Sequence, residues 1–181
     1  MIVDSYERIA GAFHRRIDCI ASTVDAMAPG IEAAAMQLTQ AVLEDRKILI
    51  CGCAEDAGIA THIAAMLRTP GDAGPALPTL SCTSDEPADD HSLLWRDLRT
   101  LSRDGDVLLC LDSVAGAPLA RRAVNFALQR NLVVIAVSEN PEQAGGVNID
   151  LQAETQALRS ELILMACHCL QEQIKHAMLG E

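Results

Sequence analysis

Apolar positions recur at every third or fourth residue along the opening of the chain. Ile2, Tyr6, Ile9, Phe13, Ile17, Ile20, Val24 and Met27 fall on one stripe of a long helix. Ala28-Pro29-Gly30 interrupts that stripe, and an alanine-rich run from Ile31 to Leu43 resumes helical spacing, so the pattern predicts a helical hairpin over residues 1–45. A stripe this long exceeds what one helix layer needs and is expected to be buried between subunits. The period then changes. Ile48 to Cys51 is a continuous apolar run too short for a helix, the pattern of a buried parallel strand, and Gly52 is expected to end it. From Ala57 helical spacing returns through Ile59, Ile63, Met66 and Leu67. Downstream come a Pro/Gly-rich connection (Thr69–Pro78), a strand at Thr79–Cys82, a polar turn at Asp85–Asp90 and a helix at His91–Arg103. A strand at Val107–Leu111, a helix at Ala117–Arg130, strands at Leu132–Val137 and Val147–Leu151, and a helix at Thr155–Met178 complete the chain. This alternation predicts a doubly wound α/β/α parallel sheet over residues 46–181, the whole chain 1–181 forming a single domain.

Composition narrows the function. Hydrophobic residues make up 50% of the 181 positions and aromatics only 2%, so the core is aliphatic and offers no stacking platform for single-stranded nucleic acid. The formal charge of −11 repels a phosphate backbone, which excludes DNA or RNA as a direct ligand while leaving a basic protein as a partner. Seven cysteines, Cys19, Cys51, Cys53, Cys82, Cys110, Cys167 and Cys169, lie mostly within apolar runs and read as buried thiols of a reducing, cytoplasmic compartment. Neither Cys51-x-Cys53 nor Cys167-x-Cys169 has zinc-ligand spacing. No signal peptide or membrane-spanning run is expected.

The turn after the first strand is the candidate site, because ligands of open α/β sheets bind beyond the carboxyl ends of strands, where helix N-termini present free N–H groups. Here that turn carries Glu55 and Asp56. Asp56 alone also reads as a helix N-cap. Gly52-x-Ala54-x-x-Ala57 only faintly echoes a dinucleotide fingerprint, and the two carboxylates would face the pyrophosphate. They would also raise the pKa of the Cys53 thiol and make it a poorer nucleophile.

Three segments, KILICGCAEDAGIATHIAAML, GDVLLCLDSVAGAPLARRAV with NLVVIAVSEN, and ELILMACHCLQEQI, resemble the signature regions of sugar isomerase (SIS) domain proteins. The subgroup resembled is that of the sedoheptulose 7-phosphate isomerases and the DnaA initiator-associating proteins, the leading hairpin being similar to the latter. The resemblance implies a five-stranded flavodoxin-like sheet and a homotetramer with terminal helices packed between subunits. It also implies a phosphate cup, built in the family from a Gly-rich turn ending in Ser and a Ser/Thr-Gly-Asn-Ser loop. At those positions stand Cys53, Ala54, Glu55 and Asp56, then Asp112, Ser113, Val114, Ala115, Gly116 and Ala117. Only Ser113 remains as a hydroxyl donor, and ionised Asp56 and Asp112 accept and repel, at roughly 3 kcal/mol per contact for about 5 Å and an effective dielectric of about 20.

The resembled isomerases carry a Glu four residues after a His, a His on the last helix, and a Gln eight residues before it, arranged around zinc. The matching positions here are His62 with Met66, His168, and Ser160. A thioether is no base, and a two-His set is weak for zinc, so no cofactor is expected. Arg159 and Glu161 read as a solvated helix face. The segment between Cys82 and Trp95 and the turn from Pro141 to Val147 are shorter than in the resembled proteins, so walls that would close over a sugar are cut back. The sequence therefore points to a non-catalytic homotetrameric scaffold that binds the initiator DnaA, with sugar phosphate bound weakly or not at all. The alternative is a phosphosugar isomerase or a binder of a carbohydrate derivative.

Overall fold

The structure, a computed structural model, describes residues 5–69, 74–84, 92–139 and 145–180. The turn expected at Asp85–Asp90, residues 141–144 of the turn expected from Pro141 to Val147, and residue Ile2 of the leading stripe lie outside the described residues. Helix α1 (Ser5–Leu43) leads into strand β1 (Ile48–Cys53) and helix α2 (Glu55–Arg68). There follow β2 (Thr79–Ser84), α3 (Leu93–Leu101), β3 (Val107–Asp112), α4 (Pro118–Gln129), β4 (Val133–Ser138), β5 (Val147–Asp150) and α5 (Gln156–Leu179).

All strand pairs are parallel, in the order β2-β1-β3-β4-β5. The apolar runs form central strands because both faces are covered, as the unbroken burial of β1 and β3 requires. Alternate residues feed two cores. Ile48, Ile50, Val107, Leu109, Ile135 and Val137 pack with α1, α2 and α5, whereas Leu49, Cys51, Leu108, Cys110 and Val134 pack with α3 and α4. This is the expected three-layer α/β/α sheet.

Two expectations change at glycines. The hairpin is instead one helix, α1, running through Pro29 without a break. Gly30 explains the residue choice, because a Cβ there would stand 2.3 Å from the carbonyl oxygen of Asn148, so the glycine lets α1 lie against β5. Gly52 does not end β1 either. Its absent Cβ would lie 2.4 Å from the carbonyl oxygen of Asp56, and the glycine brings the first turn of α2 down onto the strand, which continues to Cys53.

Candidate functional site

Strands β1 and β3 are neighbours, and the chain leaves them toward opposite sides of the sheet, which places the ligand crevice beyond their carboxyl ends. β1 gives way to α2 through Ala54 at φ 49°, ψ −115°, a strained conformation for a residue with a Cβ. The amide of Ala54 donates to the carbonyl of Ser84 at 3.0 Å, tying the turn to β2.

Asp56 is not the N-cap of α2; Ala54 holds that place. The Asp56 side chain crosses the crevice instead, where Oδ2 accepts the backbone N–H of Ser113 at 2.9 Å. Asp56 is 2% exposed, and its Oδ1 is buried without a hydrogen-bond partner among the described residues. Burial raises its pKa above the ordinary 3.8, opposed by hydrogen bonds from Ser113 and reinforced by the charges of Asp112 and Glu55.

Asp112 closes β3 and folds back over the loop that follows. Its Oδ1 accepts from Val114 N–H at 3.1 Å, and its Oδ2 from Gly116 N–H at 2.7 Å and Ala117 N–H at 3.2 Å. Ala117 is the N-cap of α4 and Pro118 its first residue, so this carboxylate occupies the position at a helix N-terminus where an external anion would bind. The loop passes through positive φ at Ala115 (66°) and Gly116 (102°), which aims consecutive N–H groups inward.

A third element grips the same loop. Arg159 of α5 donates from Nε to the Ser113 carbonyl at 2.6 Å, and from Nη1 to Glu139 Oε2 and the Ala153 carbonyl at 2.8 Å each. Arg159 is thus a clasp between α5, β4 and the β3–α4 loop, not the solvated residue its sequence neighbourhood suggests. Glu161 accepts from Arg16 Nε at 2.8 Å and joins α5 to α1. Sequence reasoning missed this role of Arg159 because two of its three partners are backbone carbonyls, which carry no sequence mark, and the third, Glu139, lies 20 positions away. The self-capping of Asp112 did leave one, an Asp at a strand end followed by Gly-Ala-Pro at a helix start.

Of the residues singled out in the sequence, the fold brings together Cys53, Asp56, Asp112 and Ser113. Ser113 is fully buried, so the remaining hydroxyl faces Asp56 and Gln156 rather than solvent. Cys53 departs from expectation: hydrogen bonding from Cys51 lowers its pKa, and this outweighs burial and the two carboxylates, which act upward. Cys51 is raised well above the usual range, chiefly by its contact with Cys110. Burial pushes Cys82 and Cys167 up to about 12. The seven thiols are not uniformly buried, since Cys19 is half-buried and Cys169 exposed.

His62 and His168 are exposed, and Met66 and Ser160 half-buried. Among the described residues no hydrogen bond or ion pair joins these four to one another. The donor set does not fit zinc, because a thioether and a hydroxyl stand where the resemblance implies a carboxylate and an amide, and no group of three or more His, Cys, Asp or Glu is placed to hold a metal ion among the described residues. The cavity beside Cys110, Asp112 and Ser138 measures about 10 Å³, room for one water at most. No described helix is long and apolar enough to cross a membrane.

Comparison with known proteins gives a consistent picture. The chain is 31% identical to the phosphoheptose isomerase of Halorhodospira halophila over 98% of both chains, and 31% identical to that of Thiobacillus denitrificans over 97% of both. Its structure matches that of phosphoheptose isomerase GmhA from Neisseria gonorrhoeae with a TM-score of 0.81 at 25% identity, covering 94% of this chain and 98% of that one. No family model matches the sequence.

Proposed function

This chain belongs to the phosphoheptose isomerase family, and from that premise we propose that it uses the family's SIS fold as a non-catalytic, homotetrameric binding scaffold. One observation carries the reading. The N–H groups of Val114, Gly116 and Ala117, which would otherwise cradle a phosphate, are taken by the protein's own Asp112, and that of Ser113 by Asp56. A phosphate dianion would have to displace two carboxylates and then sit beside them. Met66 at the implied base position supplies no proton acceptor. The scaffold reading is supported further by the apolar side chains left exposed on the single chain, Tyr6, Ile9, Phe13, Ile17 and Val24, and by a groove of about 410 Å³ between α1 and α5. The partner proposed for it is the replication initiator DnaA, on the similarity of the leading segment to initiator-associating proteins.

The second reading, a phosphosugar isomerase or a binder of a carbohydrate derivative, is favoured by the names of the relatives. The two separate in one set of measurements. Sedoheptulose 7-phosphate is titrated calorimetrically and assayed for turnover, and purified DnaA is titrated in parallel. The scaffold reading expects no turnover and no saturable sugar-phosphate binding, with micromolar initiator binding. Turnover near 1 per second or faster establishes the isomerase instead. In the double variant Asp56→Ser/Asp112→Ser, gain of phosphate binding would identify the carboxylates as what excludes it.

A further inference from the structure

Four of the seven thiols meet on one face of the sheet. Cys51 of β1 stands in register with Cys82 of β2 on one side and Cys110 of β3 on the other, and Cys53, two residues further along β1, returns to the same face. The side chain of Cys51 is in hydrogen-bonding contact with those of Cys110 and Cys53, and Cys110 donates to the Ala120 carbonyl at 3.9 Å. Cys51, Cys82 and Cys110 are sealed, at 0%, 0% and 2% exposure, whereas Cys53 at the mouth of the crevice keeps 8%. The row of sulfurs therefore has one end that a small molecule can reach.

That end is also the activated one. The hydrogen bond from Cys51 favours the thiolate of Cys53, against burial and the charges of Asp56 and Asp112, and the thiolate is the form that attacks an electrophile. The two carboxylates select among electrophiles, because they oppose an anionic thiol reagent and leave a neutral hydroperoxide of a few atoms unopposed. Backbone spacing then decides which pair can be joined. Adjacent strands lie about 4.8 Å apart and two residues along one strand span about 6.6 Å, while disulfides favour Cα separations of roughly 4.4–6.8 Å. Cys51 with Cys110 falls well inside that range, and Cys51 with Cys53 at its upper edge.

We propose that Cys53, Cys51 and Cys110 form a hydroperoxide-reactive relay that ends in a disulfide between Cys51 and Cys110, joining β1 to β3 beneath the crevice. The Cys53 thiolate attacks a peroxide oxygen, the O–O bond breaks, and Cys53 becomes a sulfenic acid while the departing oxygen takes a proton and leaves as an alcohol or water. Cys51 attacks that sulfur, its S–H proton leaving with the hydroxide as water, which gives a Cys51–Cys53 disulfide. Cys110 then attacks Cys51 Sγ, the bond to Cys53 breaks, and Cys53 departs as a thiolate, the proton of Cys110 passing to solvent; a thiol of lowered pKa is the better leaving group, so the exchange runs inward. In sum two thiols lose two electrons to one hydroperoxide, and Cys53 is restored. The relay needs neither a sugar phosphate nor a protein partner, so it stands apart from the scaffold reading.

The test exposes the full chain to millimolar hydrogen peroxide, blocks the remaining thiols by alkylation and maps the digest by mass spectrometry. A Cys51–Cys110 peptide pair linked within one chain and reversed by dithiothreitol is expected, with a sulfenic acid trapped at Cys53 when dimedone is present from the start. Cys53→Ala should slow the cross-link roughly tenfold or more, and Cys110→Ala should leave the Cys51–Cys53 disulfide as the end product. Dimedone trapping and peptide mapping use the unsubstituted chain, so a variant that fails to fold leaves the test standing. Dimedone on the exposed Cys169 but not on Cys53, a Cys51–Cys82 link, a link between chains, a parent chain that stops at Cys51–Cys53, or undiminished cross-linking in Cys53→Ala would each overturn the proposal.

Discussion

Asp112 turns a loop that would otherwise gather an anion into one closed on itself. Removing the carboxylate leaves Val114, Gly116 and Ala117 without their acceptor in a loop already carrying two positive φ angles. Asp112→Ala is expected to cost about 1–3 kcal/mol, read from the denaturant midpoint. Asp56 behaves oppositely. Its folded-state pKa is raised, so the ionised side chain weakens the fold above that pKa, and stability is recovered as the pH falls through it toward the unfolded value near 3.8. Asp56→Asn should therefore be at least as stable as the parent at pH 7, with an advantage that shrinks on acidification. An advantage that grew toward acid would contradict the assignment. Both carboxylates were legible in the sequence, at the ends of the first and third strands. Their bonding was not, because Asp56 reads locally as a cap and its partner lies 57 positions away.

Element boundaries followed from hydrophobic period to within a residue in β3 and β4, which are buried on both faces, whereas β1 runs two residues past its expected end because Gly52 serves close packing on α2 and not termination. The opening helix shows where period and breakers disagree. Pro29 and Gly30 read as a stop, yet α1 continues through them because tertiary contact with β5 and α5 outweighs local propensity. The two readings predict opposite signs for one substitution. In an exposed helix interior free of tertiary contact, Gly30→Ala would add about 1 kcal/mol of stability. Against Asn148 and Ile149 it should instead cost about 1–3 kcal/mol, as the added methyl forces α1 from β5. Thermal unfolding of Gly30→Ala beside the exposed Pro29→Ala, which should stabilise, decides the matter.

At the scale of the molecule, the stripe foreseen as a subunit seam divides. Met27 is buried and Ile20 packs partly against the core of its own chain, whereas Tyr6, Ile9, Phe13, Ile17 and Val24 remain exposed, Tyr6 at 75%. The projecting half is the part available to a second copy, and burying it is worth on the order of 25 cal/mol per Å² of apolar surface. The double variant Phe13→Asp/Ile17→Asp should lower the mass seen by light scattering while leaving the circular dichroism of the sheet unchanged. A mass unaltered by those charges would remove the stripe as the basis of assembly.

The self-filled loop also sets how the protein answers to its surroundings. A vacant cup couples a fold to the concentration of its ligand, since every molecule bound to the native state adds RT ln(1 + [L]/Kd) to stability. Here the competing anion is covalently part of the chain, present at an effective concentration no solute matches and unable to diffuse away. The melting temperature should accordingly stay flat as inorganic phosphate is raised through the millimolar range at constant ionic strength. On the proposed scaffold reading, its conformation would then be insulated from rises and falls in the pool of phosphorylated metabolites; a melting temperature that climbs with phosphate would contradict that reading.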